Sequence, residues 1–90
     1  MHLENALFNW LQISIVANSR KDDQAAQETA EFFTQILYED HKITKVHYEK
    51  EDLAYHIYYE INGELTKLTF DSYIAEKLLD DISSEPKYNQ

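Results

Sequence analysis

Apolar positions along this chain change their spacing twice, and each change separates predicted elements. From His2 to about Ala17, the polar side chains His2, Asn5, Asn9 and Gln12 gather on one arc at about 100° per residue. Leu3, Leu7, Trp10, Leu11, Ile13, Ile15 and Ala17 take most of the remaining circumference. The spacing predicts a helix over roughly residues 2–17 that is either deeply buried or part of a subunit interface. The stretch LQISIVA also alternates and is β-branched enough for a strand. The polar arc lasts for three turns, which favours the helix.

A second helix is predicted from Asp22 or Asp23 to about Asp40, since aspartate caps the free N–H groups of a first turn. Ala26, Ala30, Phe33 and Leu37 share one face, widened by Ala25, Phe32 and Ile36. Gln24, Glu28, Glu31, Gln35 and Glu39 lie on the opposite face.

The period then becomes two. ITKVHYEK, LAYHIYYEI and ELTKLTF read as strands rich in β-branched and aromatic residues. Asn62-Gly63 between the last two suits a two-residue type I′ hairpin, because both residues tolerate positive φ. That turn predicts Ile61 opposite Glu64, Tyr59 opposite Thr66, Ile57 opposite Leu68 and Tyr55 opposite Phe70. For the first hairpin, an even loop centred on Glu51-Asp52 pairs Val46 with Ile57 and Tyr48 with Tyr55, on the same apolar face. The other face holds Lys45, His47, Glu49, Ala54, His56, Tyr58, Glu60, Leu65, Lys67 and Thr69. In this register His47 faces His56, and Tyr58 sits between Lys45 and Lys67, a setting for cation–π contact. Tyr48, Tyr55 and Tyr59 are expected to pack in the core with their hydroxyls at its rim, and Tyr58 to be the exposed one.

FDSYIAEKLLDDIS returns to a helix capped by Asp71 or Ser72. Ile74, Ala75, Leu78, Leu79 and Ile82 are expected inside, with Glu76, Lys77, Asp80 and Asp81 in solvent. The expected fold class is α+β in the order α-α-β-β-β-α, a three-stranded antiparallel meander with helices packed on one face. It forms a single domain over residues 1–83, followed by a polar tail at 84–90.

From the second helix onward the order α-β-β-β-α is similar to that of the double-stranded-RNA-binding fold. The run of lysines and the basic helix N-terminus with which such a domain would hold phosphates have no counterpart here. The likeness therefore concerns the order of elements and implies no function.

Composition narrows the partners. The net charge of -9, from 17 acids against 8 bases, argues against direct nucleic-acid binding and against anionic membrane surfaces. Six of the acids fall between Asp22 and Asp40 with no Lys or Arg among them, so this helix could dock on a basic surface. There is no cysteine, which removes disulfides and thiolate metal sites and fits a reducing compartment. No apolar run approaches the roughly 18 residues of a membrane span. The N-terminal stretch lacks a basic n-region and carries Glu4, so it reads as part of the domain and the protein as cytoplasmic.

For chemistry, the chain has no Gly-rich phosphate loop, nucleophile elbow or metal-ligand helix motif, and no enzymatic activity or cofactor is expected. His47 and His56 are candidate metal ligands, but a zinc site needs a third. The expected partner contacts are Trp10, Lys45, His47, His56, Tyr58, Lys67, Glu28, Glu31 and Glu39. The expected mode is contact with a protein partner, or with a second copy through residues 3–17, as a small regulator, inhibitor or assembly factor. The alternatives are an acidic decoy for a nucleic-acid-handling protein and a metal- or pH-responsive module on His47 and His56.

Overall fold

Two helices, three strands and two short helices follow one another in the computed structural model, which describes residues 2–84. They are α1 (Leu3–Ser19), α2 (Gln24–Asp40), β1 (Ile43–Glu51), β2 (Ala54–Ile61), β3 (Glu64–Asp71), α3 (Ser72–Ala75) and α4 (Lys77–Ser84). The fold is α+β, an antiparallel sheet of order β1-β2-β3 packed against the helices. Of the expected tail, Ser84 closes α4 and residues 85–90 lie outside the described part.

The α1 stretch is wholly helical, LQISIVA included, because it packs on three sides. Beneath it, Phe8 meets Phe70 of β3 at 4.9 Å between ring centroids, and Trp10 meets Tyr48 of β1 at 5.7 Å. Beside it run α2 and α4. Neighbours on these three sides remove the penalty for so wide an apolar arc, and Leu7, Leu11 and Val16 are fully buried. Each such side chain contributes about 1.5–3 kcal/mol. The apolar excess of residues 3–17 is thus largely absorbed within the chain, Trp10 being only 6 % exposed.

Short polar links join α1 to α2. The carboxylate of Asp23 accepts from the Ala26 N–H at 3.1 Å and pairs with Arg20 at 3.2 Å. The amide N–H followed by the guanidinium holds its carboxyl below the usual range. Gln27 donates to the carbonyls of Ala17 at 2.8 Å and Arg20 at 3.4 Å, satisfying groups left open at the end of α1. Phe32 and Ala25 were expected to widen the buried face of α2, yet both are exposed, because α1 covers only the Ala26–Leu37 side.

The second hairpin has the predicted register at every pair, with φ of 53° at Asn62 and 80° at Gly63. The first does not. Its turn is Asp52-Leu53, so Val46 faces Tyr59, His47 faces Tyr58, Tyr48 faces Ile57 and Glu49 faces His56. The cause is the turn's first central residue, which takes φ 55°. Aspartate tolerates that left-handed region, whereas the expected turn would have put Glu51 there. Partners move by two positions, so every side chain keeps its expected face. A bulge at Thr44 then turns Ile43 inward opposite Ile61, where it is 2 % exposed.

The last helix is broken at Glu76, contrary to the single helix expected. Ile74 is 52 % exposed rather than inside. Glu76 turns back to the sheet, accepting from Tyr55 Oη at 2.5 Å and from Lys50 Nζ at 2.8 Å. Lys50 also stands 5.6 Å from the Tyr55 ring centroid. Hydrogen bonds from Lys50 and then Tyr55 keep the Glu76 carboxyl below its usual range, while burial and then the carboxylate raise the Tyr55 hydroxyl.

Candidate functional site

The outer face of the sheet is one place where the expected contact residues meet. His47 lies flat on Tyr58, ring centroids 5.0 Å apart and planes 17° from parallel. His56, two residues before Tyr58 on β2, stands tilted at 6.3 Å from the same ring, its Nδ1 2.9 Å from Thr69 Oγ1 and its Nε2 3.2 Å from Glu51 Oε1. The two histidines are therefore not cross-strand partners, and the pairing that would let them share one ion is not formed. Among the described residues no group of three or more His, Cys, Asp or Glu could hold a metal ion. Lys45 faces Glu60 rather than Tyr58, and Lys67 does face Tyr58. Tyr58 is half-buried, not exposed, because the imidazole covers it.

The second place is a cleft of about 780 Å³ between α2 and β1, floored by α1. Trp10, Ser14, Ala17 and Asn18 come from α1, and Gln27, Ala30, Glu31, Thr34, Gln35 and Tyr38 from α2. Val46, His47 and Tyr48 of β1 close it. Several polar groups are already tied. Trp10 Nε1 donates to Thr34 Oγ1 at 3.0 Å, Thr34 Oγ1 donates to the Ala30 carbonyl at 2.9 Å, and Asn18 Nδ2 donates to the Tyr48 hydroxyl. Ser14 is different. It is 9 % exposed and lines the cleft, and among the described residues no hydrogen bond engages its hydroxyl.

The β1 side of the cleft is a strand edge. A two-residue turn closes on a hydrogen-bonded pair, here Glu51 and Ala54, and such pairs alternate along the ladder through Glu49, His47 and Lys45. Val46, Tyr48 and Lys50 therefore aim their N–H and C=O groups away from β2. β1 has no strand on that side among the described residues, and no backbone hydrogen bond from another element reaches Val46 or Tyr48.

One acidic residue of α2, Glu31, lines the same cleft. Glu28, Glu31 and Glu39 are exposed and fall within an arc of about 80° of the helix. Glu28 and Glu39 lie outside that lining, and Glu39 instead borders a smaller hollow of α2 with Phe32 and Ile36. Sequence reasoning put Trp10 and Glu31 among contact residues but did not bring them together, and the expected contacts Glu28 and Glu39 are not among the cleft's lining residues. It missed Ser14, Thr34, Gln35 and Tyr48 as cleft residues. Ser14 had a signal of its own, a polar side chain on the apolar arc of α1 between Trp10 and Leu11.

No family model, curated protein or solved structure matches the chain. No helix among the described residues is long and apolar enough to cross a membrane.

Proposed function

We propose that this protein works by protein–protein contact, as a regulator, inhibitor or assembly factor, and that the α2–β1 cleft is its docking site. The observation that carries this reading is the unpaired backbone edge of β1 running beside an open cleft, with the unengaged Ser14 hydroxyl on its floor. An exposed strand edge invites pairing unless it is covered or blocked. The reading treats the chain as a binding module without catalysis or cofactor, acting in the cytoplasm, in keeping with the absence of cysteine.

A second reading has a specific support. The exposed arc of Glu28, Glu31 and Glu39 suits an acidic decoy that covers the basic surface of a nucleic-acid-handling protein.

The test places a photo-crosslinking side chain at Gln35 in the cleft, or at Lys67 on the outer sheet face, in the full chain within its native cytosol. A protein captured from Gln35 and not from Lys67 is the expected result. Capture from Lys67 alone, or from neither position, overturns the assignment of the cleft.

A further inference from the structure

We infer that the occupant of the cleft is an extended, basic segment of a partner protein, paired as a fourth strand with the backbone of Val46 and Tyr48. The inference rests on the cleft being the docking site and specifies what fills it.

Extended geometry follows from the wall that is offered. The N–H and C=O groups of Val46 and Tyr48 lie along one line, and only another strand presents complementary groups at the same repeat. Length agrees as well. The α2 wall from Gln27 to Tyr38 spans about 16 Å of helix axis. That equals about five extended residues.

Charge selects the sequence. Alternate side chains of the added strand enter the cleft, and the others lie outside beside His47. Those that enter run past the rings of Trp10 and Tyr48 and end among Ser14, Glu31 and Gln35. A lysine or arginine fits this path, with its aliphatic stem on the aromatic surface and its cation at Glu31. Glu28, exposed and one turn before Glu31 on α2, adds to that field within a chain of net charge -9.

A second copy is the natural competitor for any free strand edge. Two-fold pairing of β1 with β1 would bring the two α2 helices together over the new sheet. Each carries acids and no Lys or Arg from Gln24 to Asp40, so their approach is repulsive.

The test selects phage-displayed linear octapeptides against the folded full chain and then studies the selected peptides as synthetic molecules. The expected peptides carry Lys or Arg at alternate positions and shift the amide resonances of Val46 and Tyr48. Their affinity falls with salt, and the double variant E28Q/E31Q weakens it by about three- to tenfold. Methylating the peptide amide that faces β1 abolishes binding, a readout that does not depend on how any protein variant folds. Peptides that bind at Trp10 and Gln35 but are helical, neutral or acidic overturn the basic-strand occupant and leave the cleft as a docking site. Selected peptides that move only Tyr58 and Lys67, or no selected peptide at all, overturn both. A β1-paired homodimer detected by sedimentation and amide protection also overturns the inference in favour of a second copy.

Discussion

The imidazole of His47 is stacked on the phenol of Tyr58, 5.0 Å between centroids, because Asp52 rather than Glu51 occupies the first corner of the β1–β2 turn. One residue's tolerance of φ 55° thus decides which ring His47 meets. Replacing Asp52 with glycine or asparagine is expected to leave stability within about 0.5 kcal/mol. Asp52→Val should cost about 1–2 kcal/mol, since a β-branched side chain resists the left-handed region. Urea midpoints check the ranking, and cross-strand NOEs should join His47 to Tyr58 and Glu49 to His56.

Trp10 joins α1, α2 and β1, through its ring on Tyr48 and its N–H on Thr34. Trp10→Ala should lower stability by about 3–5 kcal/mol. Thr34→Val removes the acceptor for Trp10 and the bond to the Ala30 carbonyl while keeping the ring's packing, and should cost about 1 kcal/mol. Chemical denaturation followed by circular dichroism measures both. An equal loss for the two variants would contradict this packing role.

Glu76 makes stability depend on acid pH. Its carboxyl titrates lower in the folded chain than its ordinary value of 4.5, through Lys50 and then Tyr55. A group with a depressed folded pKa contributes stability above its unfolded pKa and loses it as pH falls through the folded one. Glu76→Gln should therefore cost about 1 kcal/mol at neutral pH, a modest figure because Lys50 is 47 % exposed. The gap from wild type should shrink as the pH drops below 4.5, and denaturation at about pH 7 and about pH 3 tests this.

Two backbone positions should respond with opposite signs. Lys42, just after α2, holds φ 60°, so Lys42→Gly relieves a left-handed conformation. The gain is expected at up to about 1 kcal/mol, reduced by loss of the 2.9 Å bond from Lys42 Nζ to the Glu39 carbonyl. Gly63 holds φ 80°, and an added Cβ there meets nothing within 4 Å. Gly63→Ala should thus cost about 1–2 kcal/mol from backbone strain alone. Thermal unfolding midpoints of the two variants should move in opposite directions.

The sequence by itself determined the order of elements, an aspartate cap at residue 22 or 23, the Asn62-Gly63 turn and the face of each strand residue from Lys45 onward. These are local properties, set by period, turn chemistry and capping within a few residues of each position. It also made the acidity of α2 plain. Tertiary structure alone decided the partners. Pairing across β1 and β2 turned on one φ value, so His47 met Tyr58 instead of His56. Glu76 left solvent because breaking the last helix brought it to Lys50 and Tyr55. The cleft was least legible, since it is assembled from α1, α2 and β1, and period shows which side chains share a face but not which faces remain uncovered. That depends on α1 lying over the middle of the sheet with α2 beside it, leaving the backbone edge of β1 open.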